Sequence, residues 1–180
     1  WWPVNEINIQ AANSFGGPIY ICIPKGATFG EFEVTIENVI EMPRYIHGET
    51  TIDDWMTFLR DAPAPLAELE SDYFILTIPS EDIRSLEDPD VTMDFWDDAL
   101  QMEHELSGYA PWTRVERAVF DVQISAGWMH SGYPFMAHLA SVENVVNGTY
   151  MREQGDWGMF HELGHNHQWM PSTLPGTTET

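Results

Sequence analysis

The chain has 180 residues and a formal net charge of −22, with seven Lys and Arg against 29 Asp and Glu. This charge repels phosphate backbones and anionic headgroups, so neither a nucleic-acid partner nor an anionic membrane is expected. The longest apolar runs, such as Tyr73–Pro79, are too short to span a bilayer, so direct membrane insertion is not expected. Hydrophobic residues make up 43% of the chain, which is enough for the packed core of one large domain.

The N-terminal part of the chain is predicted to form strands. Pro18–Pro24 is a short apolar run, and in Glu31–Ile40 apolar and polar residues alternate, which is typical of a half-buried strand. The single cysteine, Cys22, lies inside the first of these runs and cannot form an internal disulfide. We therefore expect Cys22 to be a buried, unreactive thiol.

The following part of the chain alternates between helix and strand patterns. Its longest predicted helix carries an apolar stripe formed by Phe95, Ala99, Met102 and Leu106. The predicted elements, in chain order, are a helix over Thr51–Asp61, a strand over Tyr73–Pro79, a helix over Val91–Ser107 that ends at Gly108, a strand over Ala118–Ser125 and a loop over Ala126–Pro134. This order predicts an α+β fold in which a mixed sheet packs against helices.

The most informative motif is H-E-x-x-H, formed by His161, Glu162 and His165 within Trp157–Trp169, a stretch that can be helical. Residues four apart lie on the same face of a helix, so both imidazoles can reach one metal ion. Glu162 lies beside them, where it can hold and deprotonate a water molecule. With Asp156 as the predicted N-cap, the pattern indicates a helix that carries a hydrolytic zinc centre.

Three other positions of this helix have predicted packing roles. Phe160 and Leu163 face away from the imidazoles and are expected to fill the core. Gly164 costs about 1 kcal/mol of helix stability relative to Ala. We interpret it as room for another backbone or a bulky group to approach beside the metal.

A hydrolytic zinc ion usually takes three protein ligands, so a third ligand is needed. The metzincin pattern is excluded, because Gln168 and Pro171 occupy the positions where that class has Gly and His. Glu179 fits the alternative His-His-Glu set: Pro171 ends the first helix, and Thr177 or Thr178 could cap the next. Glu179 could instead be a capping carboxylate near a chain end.

Two segments resemble the enhancin-like, mucin-targeting zinc metallopeptidases of peptidase family M60. They are Gly16–Ile21, which reads GG-x-IYI, and Gly158–Asn166, which contains the histidine motif. The resemblance implies a zincin-like catalytic module of the gluzincin type. It also implies that Zn²⁺ is bound by His161, His165 and Glu179, and that the enzyme hydrolyses peptide bonds in proteins or O-glycosylated glycoproteins.

Two further segments, Ser85–Pro89 and Asp121–Pro134, resemble an animal branch of this family, the transient receptor potential channel-associated factors. That resemblance implies an alternative role, in which the chain is a regulatory protein that binds a membrane cation channel and controls its gating or surface delivery. Analogy with this branch favours the cytoplasmic side of a membrane, whereas analogy with the microbial members favours secretion.

The first residues, Trp1-Trp2-Pro3, are neither an initiator Met nor a signal peptide, so we expect a segment of a longer protein. Residues 1–14 are expected to be a linker or the edge of a preceding region. Residues 15–180 are expected to form the N-terminal part of a peptidase-like catalytic domain, whose C-terminal helical part is cut short.

Two residues are candidates for donating a hydrogen bond to the oxyanion of the reaction. Ala118–Ser125 could be an edge strand that pairs with the substrate, and Tyr133 and His130 lie in the loop that follows it. In the alternative interpretation, Tyr133 only packs and His130 is a surface residue.

The remaining histidines and tryptophans are given structural interpretations. Aromatic faces bind sugars well, but core packing is the favoured role for Trp128, Trp157 and Trp169. The other interpretations are a place beside the metal ligands or at the surface for His167, structural roles for His47, His104 and His138, and solvated helix faces for the acidic pairs Asp53-Asp54 and Asp97-Asp98.

Overall fold

A computed structural model describes residues 2–28, 30–108 and 114–168, and the chain divides into two units, Trp1–Val39 and Ile40–Thr180. In the described part of the first unit, the backbone forms neither helix nor strand. The strands predicted over Pro18–Pro24 and Glu31–Ile40 are therefore not formed. Alternation favours a strand only where a neighbouring strand completes the hydrogen-bond ladder, and this unit provides none among its described residues.

Cys22 is exposed, so the prediction of a buried thiol is wrong. The prediction depended on a strand packed against a core, and that strand is not formed. The apolar side chains of the second predicted strand are exposed for the same reason, including Phe32, Val34 and Ile36.

The second unit is built on a six-stranded mixed sheet with the strand order β1-β2-β3-β4-β6-β5. The strands β1 and β2, β3 and β4, and β4 and β6 run parallel, whereas β2 and β3 and β5 and β6 run antiparallel. The strands are β1 (Arg44–Ile46), β2 (Leu66–Glu70), β3 (Phe74–Pro79), β4 (Glu116–Asp121), β5 (Met129–His130) and β6 (Phe135–His138). The mixed α+β architecture is confirmed.

The strand predicted over Ala118–Ser125 is β4, and it is not an edge strand. It lies between β3 and β6, with Ala118 opposite Leu76 on one side and Phe135 on the other. The edge position on this side of the described sheet belongs to β5, which falls inside the predicted loop Ala126–Pro134. A two-residue strand has too few residues to show an alternating pattern.

Where the sequence pattern is long, the helices begin and end close to the predicted positions. Gly108 ends α2 in a left-handed conformation with φ 68°, which glycine adopts at little cost. The helices are α1 (Ile52–Asp54), which continues as a π-helical turn over Trp55–Leu59, α2 (Pro89–Ser107), α3 (Val142–Val145), α4 (Gly148–Gln154) and α5 (Trp157–His167), and 3-10 turns cover Ser80–Ile83 and Leu139–Ser141. None of the helices in the described ranges combines the length and apolar character needed to cross a membrane.

The core lies between one face of the sheet and helices α2, α4 and α5. α2 buries Met93, Trp96 and Leu100, and the Trp96 indole N–H donates to Val145 O at 3.0 Å. The predicted stripe is only partly correct: Phe95 is buried, but Leu106 is 88% exposed. A neighbouring row of α2 is buried instead, because it carries the larger Trp96 side chain into the core.

α4 begins where it touches α2. A Cβ added at Gly148 would lie 2.2 Å from the backbone oxygen of Val91, so no larger residue fits unless the two helices separate. The Thr92 hydroxyl also donates to Val146 O at 2.6 Å, which fixes α2 to the end of α3.

We expect Gly148→Ala to lower the free energy of unfolding by at least about 1–3 kcal/mol, because the added methyl group meets backbone atoms rather than a side chain that can move. The matched control is Gly164→Ala, where the nearest described atom to the added Cβ is the Glu103 carboxylate at 3.9 Å. That control should be neutral or stabilising by up to about 1 kcal/mol. Urea unfolding of both variants measures the difference, and equal midpoints would contradict the close packing at Gly148.

Candidate metal centre

α5 presents the two motif histidines on one face. The Asp156 carboxylate accepts a hydrogen bond from the Met159 N–H at 3.1 Å, which confirms the predicted N-cap. Met159, Leu163 and His167 are buried at four-residue spacing and anchor one side of the helix in the core. His161 and His165 therefore face the opposite side, where both are half-buried.

The ring nitrogens of this pair lie close to the separation that a shared metal ion requires. The Nε2 atoms of His161 and His165 are 3.0 Å apart, and the two rings are nearly perpendicular at 81°. Tetrahedral zinc with Zn–N bonds of about 2.0–2.1 Å would place two such atoms about 3.3 Å apart. The donors present fit zinc to within a few tenths of an ångström.

A contact to His165 agrees with the tautomer that a metal ligand needs. Its Nδ1 lies 3.1 Å from the Gln168 Oε1, and an amide oxygen can only accept a hydrogen bond. Nδ1 therefore carries the proton and Nε2 keeps its lone pair, as a metal ligand requires.

Within the described residues, no group of three or more His, Cys, Asp or Glu side chains is placed to hold a metal ion. The predicted third ligand, Glu179, lies outside the described residues, together with Pro171, Thr177 and Thr178. Its role as a ligand stays a prediction.

The other predicted roles on α5 have different outcomes. Leu163 is buried and Phe160 packs against Phe95 and Trp96, so both fill the core as predicted. Gly164 was predicted to let another group approach closely. Among the described residues no group does so, since the nearest atom to an added Cβ is in the Glu103 carboxylate at 3.9 Å.

Two tryptophans stack on histidines at the surface instead of packing in the core. Trp157 is 75% exposed and lies on the His161 ring, with ring centroids 4.4 Å apart and an interplanar angle of 26°. Trp128 is 56% exposed and stacks on His138 at 4.2 Å. The core-packing prediction is wrong for both, while Trp169 lies outside the described residues. Trp157 precedes His161 by four positions on α5, so it shares the face of the imidazoles and not the buried face.

Glu162 connects the motif helix to the segment that follows β5. Its Oε2 accepts a hydrogen bond from the Ser131 N–H at 2.8 Å. His130 precedes Ser131, and both of its ring nitrogens have a partner. Nδ1 lies 2.9 Å from Ser131 O, and Nε2 lies 3.0 Å from the Ser125 hydroxyl. Because a carbonyl oxygen only accepts, Nδ1 carries the ring proton and Nε2 accepts from Ser125.

Tyr133, the other oxyanion candidate, lies in the same segment. The guanidinium of Arg114 is 3.7 Å from the centre of its ring, and the side chain remains partly open to solvent. The structure thus brings the segment of His130 and Tyr133 beside α5, while the part of either residue in catalysis stays a prediction.

Asn166 and Glu116 belong to the site, although the sequence analysis gave neither of them a role. The Asn166 Oδ1 accepts from the Gly132 N–H at 2.8 Å, and its Nδ2 donates to Gly132 O and to Glu116 Oε2, each at 3.0 Å. Glu116 is only 2% exposed. Burial raises the pKa of its carboxyl group, against the opposing effects of the Arg114 charge and the Asn166 hydrogen bond. The spacing of Asn166, four residues after Glu162, was the available signal.

The remaining histidines lie away from the imidazole pair. His167 is buried with its Nδ1 2.7 Å from Leu163 O, and its ring lies 4.7 Å from that of His104, so it is not at the surface. Burial lowers the pKa of both rings. The Nδ1 atom of His138 accepts from the Ala140 N–H, and His47 lies 3.1 Å from the Asp94 carboxylate.

The acidic pair at 97 and 98 is divided between two environments. Asp97 is half-buried and accepts a hydrogen bond from the Ser71 hydroxyl, and burial raises the pKa of its carboxyl group. Asp98 is exposed and forms an ion pair with Arg152 at 2.9 Å. The solvated-face interpretation is therefore wrong for Asp97, which faces the start of β3.

Solved structures define the class of this fold. The chain superposes with a TM-score of 0.59 and 17% identity on the catalytic module of the metalloprotease ZmpA from Clostridium perfringens, covering 74% of this chain and 30% of that one. The TM-score is 0.62 with 15% identity for the M60 catalytic domain of ZmpC from Clostridium perfringens, determined in complex with the sialyl T antigen, covering 77% and 31%. The α+β fold is that of metallopeptidase catalytic domains.

Residues 38–180 match the family described as "Peptidase M60, enhancin and enhancin-like", and the chain belongs to this family. The chain is 45% identical over 158 residues to TRPM8 channel-associated factor 2 of Bos taurus, covering 87% of this chain and 17% of that protein. It is 40% identical over 176 residues to the TRPM8 channel-associated factor homolog of Xenopus laevis, covering 97% and 19%. The chain thus spans less than a fifth of the length of these relatives. The expected domain boundary after residue 14 stays a prediction.

We expect Trp157→Ala to weaken zinc binding by roughly 2- to 10-fold, because an aromatic pair contributes about 0.5–1.5 kcal/mol and here it orients the His161 ring. Competition against a chromophoric chelator measures the affinity. The matched control is Trp128→Ala, which removes a similar stacked tryptophan from His138, a residue outside the motif. An equal loss of affinity in both variants would show that the effect does not come from His161.

Proposed function

We propose that this protein is a zinc-dependent metalloendopeptidase of the gluzincin type, which hydrolyses peptide bonds in protein or glycoprotein substrates. The observation that carries the proposal is the pair of Nε2 atoms 3.0 Å apart on one face of α5, with Glu162 in the adjoining position. Membership of the M60 family supports the same conclusion.

His161, His165 and Glu179 would hold the metal ion. The imidazoles bind as neutral rings and Glu179 as a carboxylate, which leaves one position open in a four-coordinate site. When bound, zinc supplies Lewis-acid chemistry, since it polarises a substrate carbonyl and makes water more acidic.

Glu162 is the proposed general base. Its Oε2 is held by the Ser131 N–H, and a carboxylate has a second oxygen that can take a proton from the attacking water. The same carboxyl group then passes the proton to the leaving amine, which completes the reaction without a further acid.

The outer edge of β5 is the proposed place for the substrate backbone. β5 ends at His130, directly before the Ser131 N–H that binds Glu162, so an extended peptide paired with this strand would pass beside the general base. Tyr133 and His130 are the proposed oxyanion donors. To donate, His130 would have to release its contact with Ser131 or Ser125.

Glycan-bearing substrates are supported by two features. The structure of the ZmpC catalytic domain, which has the same fold, was determined with the sialyl T antigen bound. In this chain, Trp157 stacks on the ring of His161, a proposed metal ligand, and is still 75% exposed, which leaves aromatic surface beside the site for a sugar ring.

A second role is favoured by the relatives that share 40–45% identity with this chain, which are named as TRPM8 channel-associated factors. In this role the chain is a regulatory protein that binds a membrane cation channel and acts at the cytoplasmic side of the membrane. The two roles are compatible, and turnover of a substrate distinguishes a working peptidase from a peptidase fold that serves only in binding.

Glu162→Gln should lower the rate of cleavage of an O-glycosylated protein by about 10²–10⁴-fold, because the amide cannot take the proton. Zinc content, measured by atomic emission, should be unchanged. The matched control, Glu153→Gln at an exposed position of α4, should retain full activity. Full activity of the Glu162 variant would contradict the proposed mechanism, and zinc binding without any turnover by the unaltered protein would favour the binding role.

Glu179→Ala tests the third ligand. Partners that only orient a metal ligand contribute about 10–100-fold in affinity, so loss of a direct ligand should weaken zinc binding by at least that much. Thr180→Ala is the control for the adjacent position. If isothermal titration gives the same affinity for both variants, Glu179 does not bind the metal.

A further inference from the structure

We propose that Asn166 and Glu116 are positioning residues, which hold the Ser131–Gly132 backbone against α5 and thereby orient Glu162 for proton transfer. We call the contacts of Asn166 with Gly132 and Glu116 the clamp. The catalytic consequence depends on the proposed peptidase function, whereas the clamp itself can be tested without it. Two parallel rows of side chains on α5 support this proposal.

The first row is His161 and His165, and the second is Glu162 and Asn166, each with a spacing of four residues. The first row brings two imidazole nitrogens together. The second row binds two consecutive residues of another segment, because Glu162 accepts from the Ser131 N–H and Asn166 accepts from the Gly132 N–H, both at 2.8 Å. One helix therefore holds two of the three proposed metal ligands and also the segment that contacts the general base.

The Asn166 side chain satisfies three contacts in one orientation. Its oxygen faces the Gly132 N–H, and its NH₂ group faces Gly132 O and the Glu116 carboxylate. If the amide were turned over, its NH₂ group would face another N–H and its oxygen would face two acceptors. The geometry thus requires an amide at this position, and an isosteric carboxylate would lose both donated hydrogen bonds.

Glu116 supplies a rigid anchor for that amide. It is the first residue of β4, a central strand, and its N–H donates to Tyr73 O at 2.9 Å. Burial of a carboxylate is costly unless hydrogen bonds compensate it, and the bond from Asn166 is one such compensation. The contacts therefore connect the sheet, α5 and the Ser131–Gly132 segment in one hydrogen-bonded network.

Without Asn166, the Ser131 N–H would be held near α5 by Glu162 alone. Glu162 would then contact a segment that no other side chain of the second row holds in place. The expected consequence is a loss in kcat with little change in metal affinity, because the imidazole row is not altered.

The test uses Asn166→Asp, which keeps the size of the side chain and removes both donors. The new carboxylate still accepts from the Gly132 N–H, but it also faces two acceptors, Gly132 O and the Glu116 carboxylate. Their repulsion should push the segment away from α5, so hydrogen exchange followed by NMR should show faster exchange of the Ser131 and Gly132 amides, with unchanged protection of core amides in β3. With a substrate that is cleaved, kcat should fall by roughly 10-fold or more, as for other partners that orient an active-site group, with zinc affinity unchanged within about 3-fold. Asn144→Asp in α3 is the control for the same chemical change elsewhere.

The second variant reverses the donor and acceptor. In Asn166→Asp combined with Glu116→Gln, the new amide can donate to the new carboxylate, so the slow exchange of Gly132 and at least half of the lost kcat should return. A merely destabilised domain would not be rescued by a second change in the core. If Asn166→Asp does not fold, Asn166→Ala is measured in the same way.

Unchanged exchange of Ser131 and Gly132 in the Asn166 variants would overturn the clamp. Faster exchange with an unchanged kcat in a protein that does cleave its substrate would overturn the positioning role. If the unaltered protein cleaves nothing, the peptidase proposal fails, and the exchange measurement still decides on the clamp alone.

Discussion

The orientation of α5 about its own axis is the constraint on which the site depends. Met159, Leu163 and His167 lie along one side of this helix and are buried against the sheet and α2. Burial of a side chain the size of Leu or Met is worth about 1.5–3 kcal/mol, so rotation of the helix by even one residue would expose a substantial part of the core. This fixed orientation places the imidazole row opposite the core and the Glu162–Asn166 row against the segment after β5.

The surroundings of the imidazole pair add to this arrangement by different physical means. Trp157 covers one ring, and the Gln168 side chain contacts the Nδ1 atom of the other. Both act on side-chain orientation, which the helix backbone alone does not fix. The net charge of −22 also favours the approach of a cation and opposes that of an anion. The side chains at the site and the net charge of the whole chain therefore both favour a bound cation.

Long, regular patterns in the sequence predicted long elements correctly. The helices α2 and α5, the N-cap Asp156 and the strand β3 were recoverable, because each has several periodic residues or a capping residue of a defined type. The strands β1, β2, β5 and β6 and the helices α3 and α4 were missed, because two to seven residues give no clear period. The alternation in Glu31–Ile40 predicted a strand that is not formed, since pairing depends on a neighbour that the pattern does not specify.

The site shows the same division between local and non-local information. The stacking of two histidines four residues apart follows from helix geometry alone. The contact between Glu162 and Ser131 joins residues that are 31 positions apart, and that between Asn166 and Glu116 joins residues 50 apart. Only the fold brings such pairs together, and Glu116 was one of 29 acidic residues with nothing in the sequence to distinguish it.

X-ray absorption at the zinc K edge of the zinc-loaded protein tests the central claim most directly. The structure predicts two imidazole ligands with Zn–N distances of about 2.0–2.1 Å, completed by oxygen donors and with no sulfur. A spectrum with fewer than two imidazole ligands, or with a sulfur ligand, would contradict the account, because the two rings that α5 brings together would then not form the metal site.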